Sequence, residues 1–271
     1  MSGTGSYQKN MIKIIMSMKN KIFKTLYRLF VKERVYINNN SNNQNKVIIV
    51  TGAGSGIGRA ITKVLYAQGG KLVLVGRTKE KLKETAKDFK EDRHLILCVD
   101  ICSDRGAEDI VAKTIGKYSC VDALVNNAGV YCNKSTINCS EEDYDEIMDT
   151  NVKAVWRLSK ETLKIMKNQK SGTILNIGSY ISKNSNVSPN KVLYTTSKSA
   201  IDGMSKAMNS EVKEYGVRVN CLMPATAKTF FSLDSENYLS PYKVAELVGE
   251  MLKYKEIDFR EVVIASPKQN I

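Results

Sequence analysis

Beyond Lys46 the chain alternates two kinds of segment. Apolar runs of strand length recur at 47–50, 72–75, 95–99, 123–125, 173–177, 217–222 and 262–265, and helix-like stretches fill 57–68, 79–89, 106–115, 144–167, 192–215 and 242–252. The strand runs are continuously apolar rather than alternating, so both faces of the sheet they build must be covered by helices. Strand and helix alternate six times, which predicts one α/β domain: a doubly wound parallel sheet of seven strands with helices on both faces. With the usual strand order 3-2-1-4-5-6, the ligand crevice lies at the carboxyl ends of the strands near strands 1 and 4.

The chemically unusual residues fall at those ends. Gly52 follows strand 1, Asp100 ends strand 3, Asn126-Asn127-Ala128-Gly129 ends strand 4, Ser179 ends strand 5 and Pro224 follows strand 6. Glycines at 52, 56 and 58 let backbone N–H groups approach a pyrophosphate, and the helix starting near Ile57 offers its N-terminal dipole. Taken alone, the same turn is also what a tight strand-to-helix connection without a ligand would use. After strand 2, where an NAD site usually carries an acid, the chain has Gly76-Arg77. A guanidinium there can grip a 2′-phosphate, with Arg59, Lys79 or Lys81 as helpers, so NADP(H) is expected over NAD(H). The bland alternative is an Arg77 that points into solvent.

Tyr194 and Lys198 stand at i and i+4 of the helix after strand 5 and share one face. A neighbouring ammonium favours the phenolate and draws a tyrosine towards the range of useful proton transfer. Tyr194 is thus the candidate general acid for reduction or base for oxidation, and Ser179 can hydrogen-bond the substrate oxygen as charge develops on it.

Composition changes the picture only at the N-terminus. The 271 residues are 42% apolar and 25% charged, with a net charge of +13. Residues 1–45 hold eight Lys/Arg against Glu33, leaving +6 on residues 46–271, where acidic side chains are interspersed, so a nucleic-acid surface is not expected. Residues 11–36 put Lys21, Lys24, Arg28 and Lys32 beside Ile22, Leu26 and Phe30, an amphipathic basic helix. Targeting, membrane-surface association and a functionless extension all remain open for it. The Asn-rich tract 38–45 reads as a flexible linker, giving an arm at 1–45 and a catalytic domain at 46–271. The six cysteines include no CxxC and read as reduced structural thiols. With His94 as the only histidine, a serine–histidine–acid triad or a cysteine/histidine metal site has almost nothing to build on, and no metal is expected.

From Lys46 to about Pro267 the chain resembles the short-chain dehydrogenases/reductases, with Thr-Gly-x3-Gly-x-Gly, Asn-Asn-Ala-Gly, Ser and Tyr-x3-Lys motifs in order. The resemblance implies a Rossmann fold and a nicotinamide cofactor, with Gly52, Ser55, Gly56, Ile57 and Gly58 along the pyrophosphate, Asp100 and Ile101 at the adenine, and Asn127, Ala128 and Gly129 flanking its ribose. It also implies that Lys198 holds the nicotinamide ribose, that Asn151 supports Lys198 through a water, and that Thr226 and Thr229 orient the nicotinamide. Ser179 and Tyr194 are fifteen apart, slightly more than the family commonly shows. Only ten residues separate Thr229 from Ser240-Pro241, so the substrate-covering segment is short. The expected activity is NADP(H)-dependent interconversion of a carbonyl and a secondary alcohol on a small ketone, keto acid or hydroxy acid. Alternatives are a 3-oxoacyl thioester reductase of fatty-acid synthesis and, of another class, a silent NADP-binding regulator or scaffold. A homodimer or homotetramer through 144–167 and 192–215 is the family expectation. The location is expected to be cytoplasmic or, if the arm is a presequence, an organelle such as a mitochondrion or plastid.

Overall fold

The structure, a computed structural model, describes residues 43–185, 187–225 and 239–266. Seven parallel strands form one sheet: β1 (Val47–Thr51), β2 (Lys71–Gly76), β3 (His94–Cys98), β4 (Ala123–Asn126), β5 (Gly172–Ile177), β6 (Val217–Pro224) and β7 (Glu261–Ile264), in the order β3-β2-β1-β4-β5-β6-β7. The helices are α1 (Gly56–Ala67), α2 (Lys79–Ala86), α3 (Gly106–Tyr118), α4 (Glu141–Met148), α5 (Ala154–Gln169), α6 (Val192–Val212) and α7 (Pro241–Lys253). This is the doubly wound sheet that the apolar runs predict, and all five residues of β1 are buried.

Strand alternation sorts the core into two layers. Ile48, Val50, Leu72 and Leu74 face Ile61 and Leu65 of α1 and Val244 and Val248 of α7. Val47, Ile49, Val73 and Val75 face Ile110 of α3, Leu158 and Met166 of α5, and Met208 of α6. Each such side chain contributes about 1.5–3 kcal/mol by leaving water.

A line of buried amides and hydroxyls crosses this apolar interior. Asn126 Nδ2 donates to Ser159 Oγ (3.0 Å) and Asn176 Oδ1 (2.8 Å), Asn176 Nδ2 donates to Ser205 Oγ (2.9 Å), and Ser205 Oγ donates to the Ile201 carbonyl (2.6 Å). It joins β4 and β5 to α5 and α6, which cover the same face of the sheet.

Two elements differ from the sequence reading. The helix expected over 144–167 is two helices joined by a single π turn at Asp149–Lys153, and α4 starts earlier, at a Ser140/Asp143 capping box. Asn43, inside the tract read as linker, makes ordered contacts. Its buried amide donates to Gln68 Oε1 (2.7 Å) and the Gly249 carbonyl (2.8 Å), and Asn45 N donates to the Gly69 carbonyl (3.0 Å). The basic pattern at 11–36 lies outside the described residues. His94 opens β3, its Nδ1 2.8 Å from the Lys90 carbonyl.

Candidate active site

The glycine turn is shaped by close backbone approach. Gly52 has φ +65°, a conformation glycine adopts without strain, and a methyl added at Gly58 would stand 2.2 Å from the Gly52 carbonyl oxygen. Behind it, Ser55 enters α1 extended and makes no side-chain cap, and the first turn of α1 carries no acid. The opening N–H groups of this twelve-residue helix and its positive dipole end are therefore uncommitted to a side chain, as a phosphate group requires. Arg59 faces the turn's own backbone, donating through Nε and Nη2 to the Gly54 carbonyl at 3.1 and 2.6 Å. Its guanidinium is thus used in holding the loop.

Thr51 joins the turn to the end of β4. Its hydroxyl donates to the Val125 carbonyl (3.5 Å) and accepts from the Asn127 and Ala128 amides (both 3.0 Å), while Asn127 Nδ2 donates to the Thr51 carbonyl (2.9 Å). Next along, a methyl on Gly129 would lie 3.0 Å from Asn151 Oδ1 and 3.8 Å from Lys198 Nζ. Lys198 Nζ donates to the Ile177 carbonyl at 2.9 Å, two residues before Ser179. Ser179 Oγ accepts from Ile181 N (3.3 Å) and stands near enough to the Tyr194 phenol to lower its pKa. Gly52, Asn127, Ala128, Gly129, Asn151, Lys198, Ser179 and Tyr194 therefore form one continuous series of contacts along the carboxyl ends of β1, β4 and β5.

Asn151 sits in the π turn and is 1% exposed. Its Oδ1 accepts from Val130 N (2.8 Å), and its Nδ2 donates to the Val130 carbonyl (2.9 Å) and Ser197 Oγ (3.1 Å). The side chain thus fixes the segment after β4 against α6. The extra residue of a π turn swings a side chain out of ordinary helical register, and such turns cluster at functional sites.

Lys198 is buried, and removal from water pulls its ammonium down to about 8. Its hydrogen bond to Ile177 uses one of three donors. Burial pushes the Tyr194 phenol above its ordinary value, and the nearby Ser179 hydroxyl works against that. The expected downward pull of Lys198 on Tyr194 is outweighed here, because Nζ lies 5.8 Å from the ring centroid and is directed to the Ile177 carbonyl.

On the far side of the turn, Ala53 N donates to the Val75 carbonyl (3.2 Å) and Val99 N to the Gly76 carbonyl (3.1 Å), which brings Arg77 and Asp100 to the same edge. Arg77 is exposed, and its guanidinium has no hydrogen bond or ion pair among the described residues. One Asp100 oxygen accepts from Cys102 N (2.9 Å), and Ile101 is half-buried beside it. Thr226 and Thr229 lie outside the described residues. Tyr131, which the sequence reading passed over, packs edge-on against Tyr194 with centroids 5.0 Å apart. Its place directly after the Asn-Asn-Ala-Gly-Val run was the available clue.

Comparison with known proteins places the fold in a family. The short chain dehydrogenase family profile matches residues 46–237. An uncharacterized oxidoreductase of Thermotoga maritima is 34% identical over 214 residues, 78% of this chain and 81% of that one. A 3-oxoacyl-[acyl-carrier-protein] reductase of Rickettsia prowazekii is 33% identical over 184 residues, 68% of this chain and 73% of its own length. The crystal structure of an alcohol dehydrogenase from Thermococcus sibiricus, complexed with 5-hydroxy-NADP, superposes with a TM-score of 0.78 at 27% identity, covering 84% of this chain and 99% of that one. The chain belongs to the short-chain dehydrogenases. It is an oxidoreductase of the class that acts on CH–OH donors, and its fold is that of nicotinamide-cofactor enzymes.

Proposed function

We propose that the chain interconverts a small carbonyl compound and a secondary alcohol with NADP(H), using Tyr194 as general acid/base. The observation that carries this reading is the buried Lys198 beside the Tyr194–Ser179 pair, with two ammonium donors left for ligand. The residues fit a dinucleotide: Gly52, Ser55, Gly56, Ile57 and Gly58 cradle the pyrophosphate, Asp100 and Ile101 border the adenine, Asn127, Ala128 and Gly129 border its ribose, and Lys198 takes the nicotinamide ribose. Thr226 and Thr229 complete the nicotinamide contacts in this proposal. When bound, the cofactor supplies or accepts the hydride.

In reduction, Tyr194 Oη gives its proton to the substrate oxygen while Ser179 Oγ hydrogen-bonds that oxygen. Asn151 acts by position, since its hold on Val130 keeps Gly129 against Lys198. Tyr194→Phe is expected to retain fluorescence-detected cofactor binding and lose turnover.

Arg77 supports NADP(H) over NAD(H), since it stands free at the end of β2 where an acid would accept a ribose hydroxyl. A charge-assisted contact is worth about 1.5–3 kcal/mol, so Arg77→Ala should raise the KM for NADPH by about 10- to 100-fold and leave that for NADH unchanged. An unaltered preference would remove Arg77 from the argument.

Likeness to the Rickettsia reductase favours a second substrate reading, a 3-oxoacyl thioester. Turnover of acetoacetyl thioesters against simple ketones and keto acids separates the two. For assembly, we infer a homodimer or homotetramer through α5 and α6, whose groove of about 260 Å³ includes Trp156, Leu163, Met208 and Val212. Trp156 is 46% exposed there, a large apolar ring that a second copy would cover. The basic arm supports targeting or membrane-surface contact as a proposal, tested by fractionating cells that express the full chain or residues 46–271.

A further inference from the structure

Two points on α6, one turn apart, hold the stretch of chain that carries Ser179. At the first, Lys198 Nζ donates to the Ile177 carbonyl at 2.9 Å, at the end of β5. At the second, four residues on, Asp202 Oδ2 accepts from Lys183 Nζ at 2.7 Å. Between the two grips the chain closes on itself as a 3₁₀ turn at Tyr180–Ser182. The Ser179 carbonyl accepts from Ser182 N (3.1 Å) and Ser182 Oγ (2.8 Å), and the Tyr180 carbonyl accepts from Lys183 N (2.8 Å). Ser179 Oγ itself accepts from Ile181 N at 3.3 Å. The hydroxyl is therefore fixed to the turn, and wherever the turn sits the hydroxyl goes with it.

The second grip is shielded from water. Asp202 is 8% exposed, and its Oδ1 is buried with no hydrogen bond among the described residues, so the carboxylate is placed through Oδ2, which takes both Lys183 and Lys206 (3.1 Å). Lys183 is also held at 3.0 Å by Glu261 of β7, which meets Lys206 as well. Two ammonium and two carboxylate groups balance, and a shielded pair of this kind holds a geometry that an exposed one does not. We propose that Lys183 and Asp202 are positioning residues, an ion pair that clamps the Ser179 turn to α6 and so sets the Ser179 hydroxyl against Tyr194 of the same helix.

The clamp acts through aim. Ser179 Oγ and Tyr194 Oη must reach one substrate oxygen together, and misplacing a reacting group by about 1 Å costs about 100-fold in rate. The grip of Lys198 on Ile177 fixes the near end of the segment but leaves the turn free to swing about Gly178, and Lys183 removes that freedom. Glu261 does not replace Asp202, because it ties Lys183 to β7 rather than to the helix that carries Tyr194. This inference rests on the reading of Tyr194 and Ser179 as the pair at the substrate oxygen, and on no particular substrate.

The test combines steady-state kinetics of the full chain, with NADPH and whichever ketone or acetoacetyl thioester the wild type reduces, and hydrogen–deuterium exchange, which needs no turnover. Lys183→Met and Asp202→Asn should each lower kcat by about 10- to 100-fold and leave the KM for NADPH unchanged. The double variant should lose no more than the worse single one, because both break one link. Lys183→Arg, which keeps the charge and the reach, should recover most of the loss. Glu261→Gln, which leaves the Lys183–Asp202 bond in place, should keep wild-type kcat. Exchange in peptides covering 178–184 should rise in Lys183→Met and stay at the wild-type level in Glu261→Gln. Unchanged exchange there in Lys183→Met, losses that add in the double variant, or an equal fall in kcat in Glu261→Gln would overturn the proposal. Tyr194→Phe and Ser179→Ala run alongside: if they retain turnover the reading of the site fails, whereas if they lose it and Lys183→Met does not, the clamp alone fails.

Discussion

Lys198 should make the folded protein less stable than a chain without it, and the structure sets the size of that effect. Burial lowers its ammonium from 10.5 to about 8. At about 1.4 kcal/mol for each pH unit, holding the charge inside costs about 3 kcal/mol at neutral pH. Lys198→Met removes the charge but leaves the buried Ile177 carbonyl without its donor, a loss of about 1–2 kcal/mol. The variant should then gain about 1–2 kcal/mol at pH 7, which raises the melting temperature by about 2–8 °C for a domain of this size.

The pH dependence follows from the direction of the shift. Below about 8 both folded and unfolded states carry the proton and the cost is fully present. Between about 8 and 10.5 the unfolded chain binds a proton that the folded one does not, so wild-type stability gains on the variant as pH rises. Thermal melts of both proteins from pH 7 to pH 11 measure the difference, in which other groups, including Lys46 with its own ammonium lowered to about 8, cancel. A variant that melts below wild type at pH 7, or a gap that does not change with pH, would refute the reasoning.

Gly58→Ala places a methyl against the Gly52 carbonyl and should destabilise the fold by about 1–3 kcal/mol while weakening NADPH binding in a fluorescence titration. Asn151→Ala strands the backbone groups of Val130 and should lower stability by about 3 kcal/mol in urea unfolding, with a parallel fall in kcat. Glu261 bridges Lys183 (3.0 Å) and Lys206 (2.5 Å), and its hydrogen bonds, with Asp202 first and then Lys206, hold its carboxyl down to about 2. After allowance for solvent screening, Glu261→Gln should cost about 1 kcal/mol at pH 7, and the gap in melting should fade as pH falls from 4.5 towards 2. Trp156→Glu should leave light scattering with monomer only, whereas an unchanged oligomer would move the interface elsewhere.

Regular burial made the sheet legible. The five central strands β2, β1, β4, β5 and β6 are runs of largely buried residues, so the residues that break the pattern at strand ends stood out: Gly52, Asn127, Ser179 and the Tyr194–Lys198 pair. The π turn was hidden because apolar spacing runs through 144–167 without a gap, and the extra residue shows only in which amide meets which carbonyl. Tyr131 carries no pattern of its own; its neighbour Tyr194 is distant in sequence, and only the fold brings the rings together. Asn43 read as linker because its composition is polar, yet its amide has two partners, one of them 206 residues away. The ionisation of Tyr194 could not be read from spacing, since the direction of Lys198 Nζ and the depth of burial decide it.

The buried line from Ser159 through Asn126 and Asn176 to Ser205 acts as a key between the sheet and its covering helices. Apolar packing tolerates a helix that rotates or slides by part of a turn with modest loss, because one methyl contact replaces another. An amide that must meet one hydroxyl does not tolerate it, since any other placement leaves a buried donor empty. Ser205 lies on the same helix as Tyr194 and Lys198, so the key beneath the sheet sets the rotation at which that helix presents both to the crevice. Aim at the reacting atoms is thus fixed from below, in the dry interior, rather than by the loops that surround the substrate.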